Sequence, residues 1–204
     1  MKKFLIDRLL FPKTFFKKLN DKLHTLYIGI ALIGLINLGL SFISKIPVYF
    51  FDKPPEIMVY NISFALCVII LVGLADTAFF AMPLFDIFKY FALRKRIANI
   101  KGQIIKLMKI YIVSHFLVVP VSFFLQWIFT DGTMIIRTQS GVFLVFTIII
   151  GFWQAAIITR GIYVIYTFHE KLKSLVFFMV FTWIILLEYS IGYLIDTWLM
   201  RLFM

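Results

Sequence analysis

Three ionisable residues, Asp76, Arg160 and Glu188, stand inside long apolar runs. Charge in hydrocarbon persists where it is paired or used, so these are the first candidates for chemistry. Asp76 lies as far along its run from Ile57 as Arg160 lies from Gly141. In antiparallel helices equal depth predicts an inward-facing Asp76–Arg160 pair, against which stands a substrate or proton role. Glu188 falls nearer mid-bilayer, at a depth shared by Asn37, Gln154 and Gln126 on other runs. A hydrogen-bonded polar layer would hold it, protonated, and the same layer would line a permeation path.

Other chemistries find no template. Gly73-Leu74-Ala75-Asp76 lacks the second glycine of the Gly-x-Gly-Asp used by intramembrane aspartyl proteases, and a rhomboid-type Gly-x-Ser-x is absent. His24, His115 and His169 sit on separate segments without the clustering that zinc requires, and His115 reads as a satisfied core or interface histidine. No glycine-rich phosphate loop occurs. The chain is therefore expected to be non-enzymatic and to need no metal or cofactor.

The elements that position these residues follow from composition. With 62% hydrophobic residues, 19% aromatics and a net charge of +11, the chain is too apolar for a soluble domain. The expected fold is all-α, a single polytopic membrane bundle over residues 1–204 with five transmembrane helices at about 24–44, 57–85, 104–129, 141–166 and 175–198. The run ending at Phe88 exceeds one crossing, so it extends into the interface or kinks near Pro83. Pro47, Pro54 and Pro55 forbid regular helix in the first loop. Asp7, Arg8 and Pro12 interrupt the apolar start, so no cleaved signal is expected.

Residues 1–23 interleave Lys13, Lys17 and Lys18 with Phe11, Phe15 and Phe16, an interfacial amphipathic pattern that Pro12 divides into two short helices. A second basic stretch joins spans two and three. Lys89, Arg94, Lys95, Arg96, Lys101, Lys106 and Lys109 carry seven positive charges and no acid intervenes. Its apolar positions recur at helical spacing while Arg94, Lys95, Lys101 and Lys109 point elsewhere, and Gly102 is expected to end that surface helix before the next span. Seven basic residues at the amino terminus, seven here, and Arg160, Lys171 and Lys173 fall on one side, against Lys45, Lys53, Arg137 and Arg201 on the other. The bias places the amino terminus in the cytoplasm and the carboxyl terminus outside. The basic excess sits beside spans, which suits membrane phosphates and not nucleic acid. Either the stretches are solvated topological markers, or they bind anionic lipid or a partner.

Thr147, Gly151, Ala155 and Thr159 recur every fourth residue, predicting a smooth face for close helix packing and a central fourth span.

Leu10, Phe11, Pro12, Phe15 and Phe16 at the start, then Tyr111, Ser114 and Pro120 around span three, and Trp153, Gly161 and Lys171 around spans four and five, are similar in placement to the Yip (Ypt-interacting protein) family in its bacterial branch. The tyrosine- and glycine-rich cytoplasmic motif of eukaryotic members is missing. What the resemblance implies is a non-enzymatic membrane-organising or trafficking-related protein of the bacterial cell membrane; the basic stretches themselves suggest anionic lipids, and another membrane protein or a second copy is a further expected partner. The alternative from the residues themselves is a small permease or transporter subunit built on the layer around Glu188.

Overall fold

The computed structural model describes residues 10–11, 13–42, 47–91, 99–130 and 140–203. Arg94, Lys95 and Arg96 lie outside them. The described chain is helical throughout, in a short α1 (Lys13–Lys17) followed by α2 (Leu23–Phe42), α3 (Pro55–Phe91), α4 (Ile100–Thr130), α5 (Ser140–Ile165) and α6 (Lys173–Thr197). One π-helical turn, Pro47–Phe51, precedes α3; 3-10 turns at Glu170–Leu172 and Leu199–Leu202 flank α6.

Four of these helices, α3 to α6, are long and apolar enough to cross a membrane. The fifth, α2, is a shorter apolar helix of 20 residues without an Asp, Glu, Lys or Arg. At the α-helical rise its length is about 30 Å, one hydrocarbon thickness. Large apolar side chains also cover the outside: Val59, Leu66, Ile70 and Leu74 on α3 and Phe178, Leu186 and Leu194 on α6 are exposed. A helix apolar on both its inner and outer faces is stable only in lipid. The chain is an integral membrane helical bundle.

Several expectations need correction. Proline does not exclude helix in the first loop, because Pro55 begins α3 at a position where no backbone donor is needed. The apolar run of span two does extend past one crossing, as expected: α3 continues through Pro83 to Phe91, and Pro120 likewise lies within α4. Gly102 does not end a helix either. It sits in the first turn of α4, its N–H donating to Asn99 Oδ1 at 2.8 Å in an N-cap.

Among the described glycines, the tightest backbone approach joins α2 to α3 and does not involve the fourth span. A Cβ on Gly34 would stand 1.8 Å from the Ile69 carbonyl oxygen, and one on Gly73 would stand 2.0 Å from that of Ile30. Two glycines thus let the backbones of α2 and α3 touch, the geometry that small residues permit in membranes. At Gly151 a Cβ would meet only Phe181 and Ile185 side chains, at 3.4 Å and 3.9 Å. The main neighbours of α5 are α4 and α6, whereas α4 packs on α2, α3 and α5 and is the more buried helix.

Aromatic and polar contacts lie at both ends of the bundle. At the lysine-rich end α1 packs against α5, Phe16 is buried, and Phe88 of α3 meets Tyr166 and Phe168. Lys109 is buried there, against the expectation that it faces outward. At the other end Phe203 packs on Phe50 and Phe64.

Candidate functional site

α2 and the four longer helices, α3 to α6, all contribute to one partly open cavity of about 290 Å³. Ile36 and Asn37 come from α2 and Asp76 from α3; His115, Val118, Ser122 and Leu125 come from α4, Thr147, Ile150 and Gln154 from α5, and Glu188, Ile191 and Ile195 from α6. The ionisable groups are not scattered along it. On α3 to α6 the lining residue nearest the lysine-rich end is Asp76, His115, Gln154 or Glu188, and the aliphatic residues lie beyond. The cavity therefore has an ionisable floor and largely apolar walls. Glu188 lies about 22 Å along α6 from Lys173, at roughly 1.5 Å per residue, which is near mid-bilayer.

Asp76 is 2% exposed, and both its oxygens accept hydrogen bonds. Asn37 Nδ2 donates to Oδ2 at 2.7 Å, and the Tyr111 hydroxyl donates to Oδ1 at 2.7 Å. These bonds replace the expected pair with Arg160. No ion pair joins Asp76 to Arg160 among the described residues, and Arg160 does not line the cavity. Equal depth along antiparallel helices does not fix the azimuth of a side chain around its helix.

Tyr111 is held as tightly as its hydroxyl. Its ring stacks on Phe80 of α3 at 4.1 Å and meets the His115 ring edge-on at 4.4 Å. Gln154 Nε2 lies 3.3 Å from His115 Nδ1, and the Gln154 side chain is also hydrogen-bonded to Glu188. His115 Nδ1 lies equally close, at 3.3 Å, to the Tyr111 carbonyl oxygen, so the tautomer decides whether it accepts from Gln154 or donates to Tyr111. The Tyr111 carbonyl also accepts from Ser114 Oγ at 2.7 Å. The floor thus holds two linked clusters, Asn37–Asp76–Tyr111 and His115–Gln154–Glu188. Glu188 sits deep among protein atoms yet is exposed, being reached through the cleft it lines.

Four of the five residues expected in the membrane polar set therefore come together: Asn37, Asp76, Gln154 and Glu188. The small-residue stripe divides. Thr147 and Gly151 line the cavity, whereas Ala155 and Thr159 are buried in helix packing. Tyr111 as a carboxylate donor and His115 and Ser122 as lining residues were not anticipated from the sequence. Their signal was the spacing of Tyr111 and His115 one turn apart, with Ser122 two turns further on.

At the lysine-rich end Lys13, Lys17, Lys18 and Lys101 are exposed. Lys109 is engaged instead: its ammonium donates to Asn20 O and Oδ1, Lys22 O and Thr25 Oγ1 at 2.6–2.9 Å. No family model, curated protein or solved structure matches this chain.

Proposed function

We propose that this chain is a non-enzymatic membrane protein of permease type, which binds a small solute in the cavity floored by Asp76, His115, Gln154 and Glu188. The observation that carries the reading is the placement of ionisable groups at one end of a cavity to which every long helix contributes. A purely structural polar layer has no need of that space, because satisfied polar groups pack at native density. A binding site needs both a space and a few convergent polar groups. With the basic side in the cytoplasm, as the charge bias favours, the cavity extends toward the external side.

The reading is tested by accessibility. In a Cys67→Ser background, Ser122→Cys or Gly192→Cys should react with a membrane-impermeant trimethylammonium methanethiosulfonate applied outside intact cells, and Ile184→Cys, buried in the packing, should not. No reaction at either cavity position would leave the polar layer a packing device.

A second reading is favoured by the exposure of Lys13, Lys17, Lys18 and Lys101 at one end of the bundle. These side chains suit a cytoplasmic face that binds anionic lipid or an acidic partner in a bacterial cell membrane, the Yip-like organising role. Near an anionic surface each cation contributes on the order of 1 kcal/mol. Neutralising all four should release co-purified anionic lipid while the cavity still reacts; retention of all the lipid would remove this second role.

A further inference from the structure

Resting on the reading of the cavity as a solute site, we infer that its ligand is a small monovalent organic cation with an apolar body, its charged head held by Glu188. The lining carries two carboxylic acids, Asp76 and Glu188, and among the described residues neither Lys nor Arg. The floor therefore disfavours anions and gives a cation a focused attraction inside low-dielectric walls.

The two acids differ in what they have left to offer. Asp76 is buried and each of its oxygens already accepts a hydrogen bond, from Asn37 and from Tyr111. It is braced and acts through its field. Glu188 is exposed to the cleft and is hydrogen-bonded by Gln154. A carboxylate has roughly four lone-pair sites, so acceptor capacity remains for a ligand N–H or for close approach of a quaternary ammonium.

The walls decide the rest of the ligand. Ile36, Val118, Leu125, Ile150, Ile191 and Ile195 supply apolar surface on four helices. An inorganic cation seeks six or more oxygens or a close set of nitrogen and carboxylate ligands. Among the described residues no three His, Cys, Asp or Glu side chains are grouped to hold one. A cation carrying a single ring or short alkyl chain uses both floor and walls. The volume of about 290 Å³ is at the small end for ligand pockets, which excludes bulky drugs.

The test uses the full chain in nanodiscs, with Cys67→Ser and Gly192→Cys. Gly192 lines the cavity and has no atom within 4 Å of an added Cβ, so the thiol fits without displacing anything. The rate of reaction with a neutral maleimide is measured with benzyltrimethylammonium, benzyl alcohol or benzoate present. The cation should slow labelling, while the neutral and anionic probes at equal concentration should not. Adding Glu188→Gln should raise the half-protecting concentration of the cation about tenfold or more, the scale of one hydrogen bond or contact to a charged group. Protection by benzyl alcohol or benzoate equal to that by the cation would overturn the inference and leave an aqueous solute cavity; so would unchanged protection in Glu188→Gln. If Glu188→Gln aggregates, the comparison of the three probes on the Glu188 protein decides alone. A thiol at 192 that never reacts would overturn the permease reading with it.

Discussion

Tyr111 and Asp76 meet across the α3–α4 interface with a hydroxyl-to-carboxylate distance of 2.7 Å, and both are buried. The bond leaves Asp76 with two protein donors and no need of Arg160. Tyr111→Phe would keep the stack on Phe80 while stripping Oδ1 of its donor. A buried carboxylate oxygen left unsatisfied costs about 1–3 kcal/mol or somewhat more, so the variant should unfold at lower temperature in detergent. Adding Asp76→Asn should cost less than the two single changes combined, because the partner whose loss is penalised has gone. Strict additivity in that double-mutant cycle would show that the bond contributes nothing.

The fold was legible because the signals that make it are local. Twenty apolar residues between polar ends define a crossing wherever they occur, and the helices Ser140–Ile165 and Lys173–Thr197 begin and end within two residues of the expected spans. The site was legible only in part. Ionisable residues in apolar runs led to Asp76 and Glu188, because cost alone marks them. Their partners were not readable, since a pair depends on azimuth and helix order, neither of which hydropathy encodes. Tyr111 escaped because an aromatic in a membrane helix carries no cost that would single it out. The glycine contact escaped for another reason: Gly34 and Gly73 lie on different helices, and spacing along one helix does not say which partner its small face meets.

The Gly34–Gly73 contact makes a contrast that the stripe on α5 does not. An added Cβ at either position runs into backbone, which cannot rotate away as a side chain does. Gly73→Ala should therefore force α2 and α3 apart, with a cost of about 1–3 kcal/mol for overpacking or more. Gly39→Ala, where nothing lies within 4 Å of the new methyl, should change little, and Gly151→Ala should stay within ordinary contact. Thermal unfolding of the three variants in one detergent orders them. A Gly73→Ala protein as stable as Gly39→Ala would mean that the two helices do not touch in the membrane.

Lys109 ties the amino-terminal segment to the bundle. Its ammonium has three hydrogens and four acceptors within 2.9 Å, contributed by Asn20, Lys22 and Thr25 just before and inside the start of α2. A cation so surrounded has no hydrogen left for a lipid phosphate, which separates it from the exposed Lys101 two turns earlier on α4. Lys109→Met keeps the apolar stem and removes the charge, leaving two backbone carbonyls and two side-chain oxygens without their common donor. The segment around α1 should then detach locally before the bundle unfolds, so trypsin should cut after Lys17 and Lys18 faster than in the parent. Lys109→Arg should not restore protection, because a planar guanidinium cannot converge on four acceptors arranged around a single nitrogen. Lys101→Met is the control and should leave the cleavage rate unchanged. Equal cleavage in Lys109→Met and Lys101→Met would show that the segment is held by Phe16 and its aromatic neighbours alone.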